Sequence, residues 1–180
     1  AKYILRRIIN NDFTDYQKIE AIYDWLTRVN VYDYDVVAFT EVFYSDGGDV
    51  DTIGQYSPFH LEGVFYNWTD GNIHAKAVCD GISKAFALLC QIEGIDCYKC
   101  NGAGGGQGNE AYWGAHAWNK VYLIDKWYVV DSTWDDQMRS ANGSYQVNAL
   151  HQYFLKSDEY IAKTHREDYP LRAKSNANYK

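Results

Sequence analysis

Positive charge is in the minority in this chain. It carries 24 acidic residues against 17 lysines and arginines, for a net charge of -7. Nucleic-acid binding rests on a basic face that neutralises phosphates, so that class of partner is excluded. Long apolar runs are missing too. No stretch approaches the roughly 18 residues of a membrane span, so membrane insertion is not expected. No leader opens the chain, but Ala1 is not a natural start. A trimmed chain is expected, and the missing leader says nothing of compartment.

Metal and phosphate motifs are incomplete. Cys97-Tyr98-Lys99-Cys100 has the spacing of half a zinc site, but no second pair follows. It lies in an expected strand, whereas the redox form of this motif opens a helix. Cys97, Cys100 and Cys90 are therefore read as structural cysteines. The 46–51 segment holds three aspartates without the ligand spacing of an EF-hand, and reads as a solvated acidic loop. The glycine-rich run 102–108 lacks the lysine and the serine or threonine of a phosphate loop, and is expected to be a mobile loop. No cofactor is implied.

What is present is a foldable chain. Its 180 residues suit one domain with a sizeable core, and 47% hydrophobic content excludes disorder. A short helix is expected over 2–9. Thr14 and Gln17 form a capping box for a stronger helix with Ile19, Ile22, Tyr23 and Leu26 at helical spacing. The 79–93 segment is the best-marked helix: Ile82, Ala85, Phe86, Leu89 and Ile92 share a face, and Gly94 suits the C-cap. Strands are expected over 95–100, 115–124 and 127–134, with a turn near Ile124-Asp125-Lys126. Ser157 is expected to cap a last helix running to about His165, and the polar tail after 170 is expected to fray. Helices precede strands, which predicts an α+β domain over 1–180 with a mainly antiparallel sheet.

Three residues carry candidate chemistry. Cys79 opens the best helix, in Ala77-Val78-Cys79-Asp80-Gly81. His116 lies in Gly114-Ala115-His116-Ala117-Trp118-Asn119, and Asp131 in Val129-Val130-Asp131-Ser132-Thr133-Trp134. Thiol, imidazole and carboxylate are the parts of an activated nucleophile, its base and the group that orients the base. The positive end of the helix and a protonated His116 both favour the thiolate form of Cys79. The Cys79 N–H is a natural oxyanion donor. Gly81 would let a substrate approach the backbone. A two-residue turn at either Ile124-Asp125 or Asp125-Lys126 puts His116 and Asp131 on one sheet face. The first register makes them diagonal neighbours; the second separates them further. Each residue has a plainer reading: a small buried cysteine, a core histidine, an aspartate capping a turn. Their joint occurrence in this order favours the chemical one.

These segments resemble the core of the transglutaminase-like superfamily, in its bacterial members. Ile22-Tyr23-Asp24-Trp25-Leu26 with Tyr32-Asp33-Tyr34 resembles the family's opening helix and the pair after it. Tyr153-Phe154-Leu155-Lys156-Ser157-Asp158 and His165 resemble its closing segment, so the likeness covers about 15–165. It implies a papain-like α+β fold with the nucleophile helix packed on an antiparallel sheet. By position, Cys79 is the implied nucleophile, His116 the base and Asp131 the orienter. Trp118 and Trp134 are implied packing residues flanking the site. His60, Tyr66 and Trp68 are candidates for a second oxyanion donor.

The implied reaction is metal-free acyl transfer on protein or peptide amides, foremost glutamine side chains, through a Cys79 thioester. A cysteine peptidase or amidase of the same fold is the first alternative. A non-catalytic cell-surface binding module with a vestigial triad is the second, its groove lined from the 17 tyrosines and six tryptophans. A protein or peptide substrate and an extracellular or cell-surface setting are the expected partner and place.

Overall fold

A computed structural model describes residues 1–38, 57–65, 75–105, 113–136, 151–168 and 178–179. The acidic 46–51 loop and two candidate site residues, Tyr66 and Trp68, lie outside the described residues.

Helix α1 (Lys2–Ile8) leads into α2 (Asp15–Val29). The predicted capping box opens α2: the Thr14 hydroxyl accepts from the Gln17 amide, and the Gln17 side chain accepts from the Thr14 amide. β1 (Asn30–Tyr32) follows and pairs in parallel with β2 (Ala75–Ala77), setting Tyr32 opposite Ala77. Between them lie a 3-10 turn (Ser57–Phe59) and α3 (Leu61–Phe65). α4 (Cys79–Ile92) ends at Gly94, whose φ of 77° closes the helix as its missing Cβ permits. β3 (Cys97–Gly105), β4 (Trp113–Leu123) and β5 (Lys126–Val130) then form antiparallel pairs. α5 (Asp158–Ile161) and β6 (His165–Glu167) close the fold, giving a four-stranded sheet in the order β5-β4-β3-β6. This is the expected α+β arrangement, with the Cys79 helix on an antiparallel sheet.

The core follows the periodicities. Ile19, Ile22, Tyr23 and Leu26 of α2 meet Ile82, Ala85, Phe86 and Leu89 of α4. Val121, Leu123, Tyr128 and Val130 join this cluster, while Trp118 and Val129 belong to a second one with Cys100, Tyr153 and Ile161. The alternation of Tyr128, Val129 and Val130 between clusters is the period of two of a strand buried on both faces. Each fully buried large apolar side chain contributes about 1.5–3 kcal/mol. α4 is also pinned by a polar bond, Asn119 Nδ2 to the Ser83 carbonyl at 2.9 Å. Among the described residues, no helix is long and apolar enough to cross a membrane.

Two expectations are corrected. The glycine run is not a loop over 102–105; it is the end of β3, paired with β4 on one side and β6 on the other. Its glycines answer a steric demand. A Cβ at Gly102 would stand 2.0 Å from the Arg166 carbonyl oxygen, and one at Gly104 3.0 Å from the rings of His116 and Trp134. The closing helix stops at Ile161, and His165 begins a strand, because residues 165–167 complete the open edge of β3. Of the tail, residues 169–177 and 180 lie outside the described residues; Tyr179 stacks on Tyr16 with ring centroids 5.0 Å apart, and its N–H donates to the Leu155 carbonyl.

Candidate active site

Cys79 is the first residue of α4 and is partly exposed. The segment 57–60 lies across this helix end. Val78 N–H donates to the Pro58 carbonyl at 3.1 Å, and Lys84 Nζ to the Phe59 carbonyl at 2.9 Å. A Cβ on Gly81 would stand 2.4 Å from the Pro58 oxygen and 3.0 Å from the His60 oxygen. Gly81 therefore admits the protein's own 57–60 backbone, where the sequence pointed to a substrate. His60 contributes to this strap through its carbonyl, which also accepts from Gly63 N–H.

Asp80 follows Cys79 and would oppose its ionisation if left bare. Burial pushes the Asp80 carboxyl up, but Lys84 and Lys99 outweigh it and hold the group below its ordinary value. Both lysines bond the carboxylate, so its charge is offset next to Cys79.

His116 and Asp131 come together through the hairpin. Leu123 pairs with Lys126 and Asn119 with Val130, leaving Ile124-Asp125 as the two-residue turn. Of the two registers left open by the sequence, this is the one that makes His116 and Asp131 diagonal neighbours. His116 Nε2 donates to Asp131 Oδ2 at 2.7 Å. Burial alone would lower the imidazole pKa, but the Asp131 charge and hydrogen bond, with Cys79 adding to them, push it up to about 10. Burial would raise the Asp131 carboxyl, and the two histidines hold it well below the carboxylate range instead. The other oxygen, Oδ1, accepts from the amides of Thr133 at 2.9 Å and Trp134 at 3.1 Å. Asp131 thus caps a turn as the plainer reading held, and engages His116 as well. His116 also interacts with Cys79, so the three expected residues form one chain of contacts.

Trp118 and Trp134 flank His116, with centroids at 5.9 and 5.4 Å. Trp118 is fully buried, which fits a packing role.

Two contacts were not read from the sequence. The Tyr32 hydroxyl interacts with Cys79, and its pKa is raised by burial first and by that cysteine next. His165 Nε2 donates to the same Asp131 Oδ2 at 2.9 Å. Both lie in segments noted only for family likeness. His116, Asp131 and His165 have ligand atoms within 4.8 Å of one another, close enough for a cation. Here those atoms are engaged with each other, and four N–H donors occupy the carboxylate. The chemistry of the set is that of a hydrogen-bonded relay.

Fold and site together define a papain-like domain with a Cys-His-Asp constellation. Residues 64–132 match the sequence model of the Transglutaminase-like superfamily. It is similar to the kyphoscoliosis peptidase of Homo sapiens, at 27% identity over 132 residues that cover 71% of this chain and 17% of that protein. It is also similar to the kyphoscoliosis peptidase of Mus musculus, at 31% identity over 99 residues covering 52% of this chain and 15% of that protein. The chain thus spans less than a fifth of the length of these relatives. A crystal structure described as a TGase aligns with 93% of this chain and 36% of its own, at 16% identity and a TM-score of 0.47.

Proposed function

We propose that this domain is a cysteine acyl-transfer enzyme acting on protein or peptide amides, with glutamine side chains as the foremost donor. The observation that carries the reading is the contact chain from Cys79 at the start of α4 through His116 to Asp131. The Cys79 sulfur attacks the amide carbonyl, and the carbonyl electrons move onto oxygen, near the Cys79 N–H at the helix end. The imidazolium of His116 gives its proton to the departing nitrogen, so ammonia or an amine leaves and a thioester remains. Neutral His116 then takes a proton from the incoming amine or water, which displaces the thiolate. Asp131 holds the imidazole and stabilises its charged form throughout.

Hydrolysis is the second reading, favoured by the word peptidase in the names of both curated relatives. The two differ in the acceptor, an amine or water, and a peptidase also takes a main-chain amide as donor. An extracellular or cell-surface setting, with a protein or peptide as partner, goes with either.

The test begins with iodoacetamide labelling against pH, read by intact mass and peptide mapping, with His116→Ala as control. Selective labelling of Cys79 over Cys90, Cys97 and Cys100, lost in the control, is the expected result. A glutamine peptide is then offered with and without a fluorescent primary amine. Amine incorporation supports transfer, and peptide cleavage or deamidation alone supports hydrolysis. Labelling of Cys79 no faster than that of the other three thiols overturns both readings and leaves the binding module.

A further inference from the structure

Asp131 is shared. Its Oδ2 takes a hydrogen bond from His116 at 2.7 Å and another from His165 at 2.9 Å. The two imidazoles come from different places in the chain. His116 lies in the middle of β4, and His165 is the first residue of β6, 34 residues beyond Asp131. His165 is buried, with no exposed side-chain surface, and its ring meets those of Trp134, Trp118, His116 and Tyr153 at 4.5 to 5.6 Å. Burying a second imidazole against the one carboxylate of a site is costly unless both ring nitrogens are paired. Both are: Nδ1 lies 2.9 Å from the Thr164 hydroxyl.

We propose that His165 is a positioning residue for His116, restraining by its share of Asp131 the basicity that the carboxylate lends to the catalytic imidazole. The proposal rests on the acyl-transfer reading above and deepens it.

The proton inventory supports it. An ionised carboxylate brings no hydrogen, so the proton between His165 and Asp131 is the Nε2–H of His165. Oδ1 is fixed by the Thr133 and Trp134 amides, so the carboxylate keeps its place whatever happens at Oδ2. Removing the His165 donor therefore leaves more negative charge for His116, with the geometry held from the other oxygen. The chemistry gives this a purpose. An imidazolium bound too tightly to its carboxylate is a poor donor to a leaving amine, and a base serves best near the working pH. His116 is already pushed well up by Asp131. A second donor on Oδ2 opposes that drift.

Other ionisable groups face the cluster. Cys79 acts on His116 from α4, and Tyr23 of α2 and Asp135 sense the charge of Asp131. Tyr153 lies against His165, and Glu167, two residues along β6, is paired with Lys120 of β4. None of these donates to Asp131 Oδ2, so none replaces His165 in this role.

The test follows His116 by NMR of histidine-labelled full chain from pH 6 to 11, with His116→Ala to assign its signal. His165→Phe is expected to raise the His116 midpoint by about half a unit to one unit, a part of the worth of one hydrogen bond to an ionised carboxylate. His165→Gln, whose amide keeps a donor, is expected to move it less than half as far. A folded His165→Phe with an unchanged or lowered midpoint overturns the proposal, since a merely structural histidine would alter melting alone. Should His165→Phe not fold, the wild-type chain still decides: the 15N shift of His165 Nε2 is expected to be that of a nitrogen bearing a hydrogen, as its bond to Asp131 requires. A bare nitrogen there overturns the proposal. Cys79 labelling run alongside separates the two readings, because loss of its selectivity in the wild-type chain counts against acyl transfer and leaves the His116 shift to be judged by itself.

Discussion

Gly104 stands where any side chain would strike His116: a Cβ there would lie 3.0 Å from both Cγ and Cδ2 of the ring, and as close to Trp134. The strand β3, through Gly104, thus sets the depth at which the imidazole sits. Gly104→Ala is expected to push the His116 ring away from Asp131 and cut Cys79 labelling severalfold, at a stability cost of about 1–3 kcal/mol for an overpacked site. Gly102→Ala meets the Arg166 backbone at 2.0 Å and is expected to lower the melting temperature further, because a paired strand yields less than a ring. Thermal melts and labelling rates on the two variants check this. Unchanged labelling in a folded Gly104→Ala chain would sink the idea that β3 positions the base.

Asp135 carries a buried charge with an incomplete shell. One oxygen accepts from the Tyr23 hydroxyl and from Tyr153 N–H, the latter at 2.7 Å, and the other has no hydrogen-bond partner among the described residues. Burial pushes its carboxyl up to about 6. The folded value thus exceeds the unfolded one of about 3.9, so the group's contribution is full when protonated and is lost as pH rises through 6. Asp135→Asn keeps an acceptor for both donors and has no charge to bury. It is expected to melt higher than the wild-type chain at pH 7, by up to about 3 kcal/mol, with the advantage fading by pH 4. Melts at the two pH values check this, and an advantage independent of pH counts against it.

The hairpin that brings His116 to Asp131 is made with an unfavourable residue. Ile124 and Asp125 have φ of 47° and 63°, the left-handed pair of a type I′ turn. Isoleucine resists that region, at roughly 1–2 kcal/mol. The side chain is 69% exposed, so little burial is lost on replacing it. Ile124→Asn is expected to raise the melting temperature by about 2–4 °C. A lower melting temperature would mean that Ile124 makes a contact worth more than its strain.

The same turn shows how far the sequence could be read. The face shared by His116 and Asp131 followed from parity alone, because strand side chains alternate with a period of two. Choosing between the two turns needed the knowledge that an isoleucine had been forced left-handed, which no propensity would favour. α4 was legible because Ile82, Ala85, Phe86 and Leu89 repeat at helical spacing over 14 residues. β6 was not, since His165–Glu167 holds three residues and three residues have no period. Gly102 and Gly104 carried the opposite signal to their role: glycine marks loops by composition, and here it marks crowding. Tyr32 came close to Cys79 through parallel pairing of two three-residue strands, a non-local event that leaves no local trace.

The 64–132 segment that matches the superfamily model holds Cys79, His116 and Asp131, but Tyr32 and His165 both stand outside it. β6 also lies beyond it and covers the edge of β3 from Gly102 to Gly104. An excised 64–132 fragment would expose that edge, ready to recruit a strand from another copy. It would also lack α2, whose Tyr23 bonds the Asp131 carbonyl and Asp135. A piece worth expressing, grafting or shuffling therefore keeps α1, whose Ile4 and Leu5 lie in the core, and reaches past β6 to Tyr179. What aligns well is shorter than what can stand alone.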